Sequence, residues 1–354
     1  MTLLRGSGIN MTTMQPKSTR SGNISLFMGL IALSFMGCAS TSEVKNALAF
    51  PSDITQPYLV LDQVIDGSLD GQRGRLGRSL KFIFGSENKI SLNQPTDMVV
   101  DAQGRLLIVE AEAGIISSYT ETDGVWLNTD RVSVSNMKHP FGITVGPEHL
   151  FISDLTSALV IVLSYDFEVV GSIEHVDMQR PAGLHFDAKS NRLFVADPRA
   201  NRVFVFSESG ELVAQIGHTG SNRGLLQSLI SVTVDPNTGN IFVLDGIARK
   251  IKQYDGEFRF ISSFGEYDQV PGSFAFPKGI AVAMDGTLFV GDAAFGNIQM
   301  FDPSGALLFF FGETGTKPGQ FLMPRNLFMD KNQRLFVADP YNNRVQVFQY
   351  FAQQ

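Results

Sequence analysis

Six acidic residues recur along this chain at intervals of 43 to 48 residues: Glu110, Asp154, Asp197, Asp245, Asp292 and Asp339. Each ends a short run of strand-favouring residues, so the chain is built from repeats. The last unit, PRNLFMDKNQRLFVADPYNNRVQVF (324–348), shows the pattern most fully. LFM and RLFVAD are joined by the polar turn DKNQ, and RVQVF follows a second turn, DPYNN. Upstream of each acid lies Pro95, Pro140, Pro181, Pro277 or Pro324, with Ile230 at that place in the fourth unit. Gly142, Gly183 and Gly279 stand two residues after their prolines. Third strands are clearest in NRVFVF, KIKQY and NIQMF, and fourth strands in ELVAQIG, EFRFISSFG and ALLFFFG. Four short antiparallel strands per unit, repeated six times, predict an all-β, six-bladed β-propeller.

The order Pro-x-Gly-strand, turn, strand-Asp, Asn-Arg-Val-strand resembles the NHL repeat family over residues 95–348. The third and sixth units carry nearly every family position. The first two depart from it, with Glu110 for aspartate and with Gly114 and Ala158 for asparagine. The sixth unit ends after three strands, which would leave an unpaired edge. Propellers that the chain resembles close by borrowing a strand from the other chain end, and YLVLDQVI (58–65) alternates suitably for that role. Residues 66–94 form an insertion in which Leu76, Leu80, Ile83 and Phe84 have helical spacing. In the rival reading KFIFG (81–85) is itself the closing strand.

Residues 24–37 are one apolar run after Lys17 and Arg20, too short to span a bilayer comfortably but suited to a secretion signal. Cys38, the only cysteine, follows directly between Gly37 and Ala39. This resembles a bacterial lipoprotein signal, although Phe35 stands where that family prefers an aliphatic residue. Translation from Met11 or Met14 instead of Met1 would shorten the leader. The expected organisation is a signal peptide over 1–37, a flexible tether over 38–56 and the propeller over 57–350. The resemblance implies lipid on Cys38 and residence in the cell envelope, with Ala39 pointing to the periplasmic side of the outer membrane. Removing the three cations of residues 1–37 leaves 25 basic against 35 acidic residues, a formal charge of −10. That balance argues against nucleic acid as a partner. A lone cysteine also excludes an intrachain disulfide and cysteine-based metal sites.

The prolines and the acids belong to loops at one end of the central channel, the face that NHL-like propellers use for ligands. The acids, present in every unit, read as turn-formers. Residues that differ between units are the functional candidates. After the proline position come Thr96, Phe141, Ala182, Ser231, Lys278 and Arg325, and then Asp97, Gly142, Gly183, Val232, Gly279 and Asn326. Lys278 and Arg325 place two cations on adjacent blades, suited to a small anionic ligand or an acidic side chain of an envelope protein. Asp97, Asn326 and Arg199 add polar groups, while Phe141, Phe295 and Tyr341 supply apolar walls. Some NHL-like lyases hold zinc through histidines placed directly after the blade prolines. None of those positions is histidine here, and His139, His149, His175, His185 and His218 are scattered, so neither a metal nor another cofactor is expected. A monomeric binding scaffold is the leading reading, with a propeller enzyme of lyase or lactonase type as the alternative.

Overall fold

The computed structural model describes residues 48–52, 56–67, 91–135, 137–217, 224–268 and 270–352. The proposed signal peptide, Cys38 and both readings of residues 75–85 lie outside these. The described residues form a six-bladed β-propeller, each blade an antiparallel sheet. Blade 1 spans Pro95–Val100, Arg105–Glu110, Ile115–Thr122 and Val125–Ser133; blade 2 spans Pro140–Val145, Leu150–Asp154, Leu159–Leu163 and Val169–Ile173. Blades 3, 4 and 5 begin with Leu184–Asp187, Leu229–Val234 and Pro277–Val282, and end with Leu212–Ile216, Phe260–Phe264 and Leu307–Phe311. All six second strands finish on the repeat acid.

The second and third strands carry the core. RLFVAD of blade 3 is buried from Leu193 to Asp197, because both faces of its sheet lie against neighbouring blades. Phe194, Val203 and Val205 pack onto Val232, Val234 and Tyr254 of blade 4, while Leu193, Phe204 and Phe206 pack onto Phe151 and Val160 of blade 2. Strands covered on both faces read as continuous apolar runs rather than alternations. The outer strands alternate, as in Leu307–Phe311, where Leu308 and Phe310 face solvent.

Blade 6 consists of Leu327–Met329, Arg334–Asp339 and Arg344–Tyr350, and its fourth strand is Leu59–Ile65 from the other end of the chain. The register runs from Leu59 opposite Tyr350 to Ile65 opposite Val345, with a bulge between Leu61 and Gln63. An extra residue reverses the alternation of a strand. Leu59 therefore packs with Phe289 and Phe311 of blade 5, whereas Ile65 packs with Leu106, Ile108 and Trp126 of blade 1. One short strand thus seals two junctions. The sheet also extends one strand further than the sequence reading allowed. Ala49–Phe50, inside the stretch read as tether, pairs with Val60 and Leu59, and Phe50 lies 5.1 Å from the Phe311 ring. Covering that apolar edge is the physical reason these residues are held.

The residue four after each acid explains the asparagine of the repeat. Gly114, Ala158, Asn201, Arg249, Gly296 and Asn343 all have φ between 51° and 63°. Glycine and asparagine tolerate this left-handed conformation, while Ala158 and Arg249 adopt it at a steric cost.

Candidate ligand-binding site

At the end of the channel that carries the prolines, the repeat acids are fully buried and tie two loops together. Asp197 shows the device. One carboxylate oxygen accepts the Gln179 and Arg180 N–H groups (2.7 and 2.8 Å) from the loop entering the blade. The other accepts those of Arg199 and Ala200 (2.9 and 2.8 Å) from the turn after the second strand. Asp154 and Asp292 repeat the arrangement. Burial would raise the Asp154 carboxyl, but the N–H groups of Ser157, Lys138, His139 and Thr156 outweigh it and hold it below the ordinary range. In blades 1 and 6 a cation takes part of the load. Arg131 reaches Glu110 (2.7 Å), and Arg344 bonds Asp339 (2.8 Å) together with the carbonyls of Thr316, Lys317 and Gln320. Arg202, by contrast, bonds Ala200, Gln215 and Asp177 rather than its own repeat acid. In blade 4 the brace is Lys252, 3.3 Å from Asp245. Among the described residues, no three His, Asp or Glu side chains come together as a metal-binding group.

On this rigid rim, Lys278 and Arg325 are half-buried. The Lys278 ammonium lies 3.6 Å from the centre of the Phe276 ring, and the Arg325 guanidinium lies 5.5 Å from that of Phe141. Neither forms a salt bridge among the described residues. Burial, and then repulsion from Arg325, push Lys278 down to about 8. Burial also lowers Arg325, partly offset by Tyr341 and Glu112 nearby. The structure thus brings Lys278, Arg325, Phe141 and Tyr341 into one neighbourhood. Phe276 and Glu112 join it, and the comparison of equivalent positions had missed both. Arg199 stands exposed on blade 3 and Phe295 half-buried on blade 5, each hydrogen-bonded through its backbone.

Asp97 and Asn326 lie one residue deeper, where they line the channel instead of the rim. Across the ladder Leu229 pairs with Asp245 as Pro95 pairs with Glu110 and Pro277 with Asp292. The fourth blade is therefore offset by one from its sequence alignment. Ser231, not Val232, shares the layer of Asp97, Gly142, Gly183, Gly279 and Asn326. A Cβ on Gly142 or Gly279 would collide with the carbonyl of Ala182 or Arg325 on the next blade, so these glycines let neighbouring first strands touch. Asp97 fills the same place in blade 1 by reaching across, its carboxylate accepting the Ile143 N–H of blade 2 at 2.9 Å.

Below this layer the channel holds a cavity of about 400 Å³. Asp97, Gly183, Ser231 and Asn326 line its buried end, and Lys189, Met284 and Lys331 its solvent-exposed end. There it meets a second, mainly apolar hollow of about 550 Å³, with Phe186, Ala188, Phe328 and Met329 common to both. The channel therefore opens through the loops between first and second strands, opposite the rim. Of the residues expected at the mouth, only Asp97 and Asn326 line either hollow. His185 lines the cavity as well, and burial pushes its imidazole down to about 4, so it is neutral at pH 7.

These features define a six-bladed β-propeller whose channel is polar at its buried end and opens at the other. A family model described as a 6-bladed beta-propeller matches residues 180–268, which contain blades 3 and 4. No curated protein matches the sequence. Among solved structures the chain is similar to a streptogramin B lyase (14% identity, TM-score 0.54, covering 72% of this chain and 78% of that one). It is likewise similar to virginiamycin B lyase from Staphylococcus aureus (15%, 0.54, 72% and 80%) and to Kuenenia stuttgartiensis hydrazine synthase (13%, 0.53, 76% and 99%). At such identities the shared property is the fold.

Proposed function

We propose that this chain is a cell-envelope lipoprotein whose NHL-type propeller recognises an anionic group at the rim carrying the blade prolines. The observation that carries this reading is the pair Lys278 and Arg325. Two half-buried cations on adjacent blades repel one another, and neither has a carboxylate within salt-bridge distance among the described residues. Holding unpaired charge out of water is unfavourable, and an anion seated between them would recover that cost. Phe141 and Phe276 keep the two cationic groups in place through their ring faces. The NHL-like repeat pattern and the Gly37-Cys38-Ala39 sequence after an apolar run support the family and the lipid anchor.

The test is calorimetric titration of the mature protein with phosphate, citrate and a Glu-rich peptide, beside the Lys278→Ala/Arg325→Ala double variant. A charge-assisted hydrogen bond contributes roughly 1.5–3 kcal/mol, so losing both weakens binding about a hundredfold or more. Equal affinity of parent and double variant for every anion, or no anion bound at all, refutes the reading. Mass spectrometry of the membrane fraction tests the anchor separately: the expected N-terminal peptide begins at an acylated Cys38, and an intact mature N-terminus upstream of it refutes that part.

A further inference from the structure

The blind end of the channel holds polar groups that the rim does not use. Asp97 is 6% exposed and Asn326 3% exposed, side by side on blades 1 and 6, and both line the cavity. Asp97 accepts the N–H groups of Ile143 and Met98, at 2.9 Å each, and the Asn326 side chain. Those three bonds leave the carboxylate spare acceptor capacity. No cation is paired with it among the described residues. The Asn326 side-chain oxygen Oδ1 is buried with no hydrogen-bond partner. Orphaned buried acceptors of this kind are rare and call for an explanation. Around them the wall is apolar, formed by Ile143, Leu184, Val232, Ile280 and Leu327, with Ser231 across the ring.

We propose that this cavity is a second binding site, for a small primary amine with an apolar body that enters from the end opposite the rim. The ammonium meets Asp97 and donates to the Asn326 oxygen, while the body lies along the aliphatic wall towards Phe186 and Phe328. A volume near 400 Å³ is within the range of small-molecule sites. The charge balance favours a cation over an anion. Among the described residues Asp97 is the only charged group at the closed end, and His185 on blade 3 is neutral at pH 7. Asp187, Lys189 and Lys331 lie at the far, solvated end, and Asp330 there is buried and paired with Arg334 at 2.8 Å. Without a counter-ion, burial pushes Asp97 up to about 7 despite its hydrogen bonds, and a bound ammonium would bring it back down.

The experiment is calorimetric titration with 2-phenylethylamine, 2-phenylethanol and 3-phenylpropionate, three probes of similar body and different head. The amine is expected to bind saturably at pH 8, with the alcohol and the acid at least tenfold weaker. Asp97→Asn should weaken the amine tenfold or more, while Lys278→Ala/Arg325→Ala leaves it unchanged. That last arm separates this site from the rim, so either site can fail alone. If Asp97→Asn does not fold, the parent protein decides the matter. With Asp97 titrating near 7, affinity for the amine falls about tenfold between pH 8 and pH 6 as the carboxyl takes its proton. The absence of saturable binding, an alcohol as tight as the amine, an affinity unchanged in Asp97→Asn, or one flat from pH 8 to 6 overturns the proposal.

Discussion

Replacing Leu59 and Ile65 by alanine, singly and together, tests how much the borrowed strand contributes to closing the ring. Both side chains are essentially inaccessible, at 0% and 1%. They lie in different clusters, Leu59 at the junction of blades 5 and 6 and Ile65 at that of blades 6 and 1. Truncating a buried Leu or Ile costs about 2–5 kcal/mol in lost transfer and residual cavity, so about 3 kcal/mol each is expected. With no shared partners the two losses should add, to about 6 kcal/mol, a large part of the stability of an ordinary domain. Val60→Ala, half-buried on the same strand, should stay below about 1 kcal/mol. Equilibrium urea denaturation is the assay, read by far-UV circular dichroism and by fluorescence of Trp126. That residue, the only tryptophan, lies in the same cluster as Ile65. If the ring is one cooperative unit, Leu59→Ala shifts the Trp126 transition as far as the dichroism transition, although Leu59 lies at the other junction. Midpoints unchanged for both variants would refute closure by this strand. A shift seen by one probe alone would refute cooperativity.

Asp339→Ala should cost about 3–5 kcal/mol by urea denaturation, because it leaves Arg344, only 6% exposed, without its counter-charge. Ala158→Gly should raise the urea midpoint, worth about 1 kcal/mol, by relieving a left-handed residue, and Asn343→Ala should lower it. Lys278 has a folded pKa below its unfolded value, so between about pH 8 and its ordinary 10.5 the unfolded chain binds the extra proton. Stability measured across that window should therefore rise with pH, and Lys278→Met should flatten the rise. Asp97 has its folded pKa raised instead. Its contribution is lost as pH climbs from about 4 to about 7, and Asp97→Asn should remove that decline.

The ring was legible in the sequence because a propeller repeats its turn chemistry. Acids that close second strands and prolines that open first strands are local signals, and six in register fix the blade count. Register within blade 4 was not legible, since Ile230 took the place of a proline that the ladder assigns to Leu229. A further repeat signal was present but unread. Leu92, Met178, Leu226, Phe274 and Phe321, each just before the proline position, plug the blade junctions. The cations at the rim stood out because they differ between equivalent positions. The channel did not, for its polar end depends on which side chains of six distant strands converge, a property of closure rather than of any one repeat.

Closure by Leu59–Ile65 also orders events in time. The partner strand, Arg344–Tyr350, lies some 280 residues later in the chain. During vectorial synthesis or threading through a pore, blades 1 to 5 can form as their own hairpins emerge, each from contacts within about 45 residues. Leu59–Ile65 must wait, without its blade 6 neighbour, until Arg344–Tyr350 is free. Such long-range pairing is slow and leaves an edge open to other chains meanwhile. A chain broken off before residue 344 could never seal blade 6, so completion of the ring reports that the whole domain has been made.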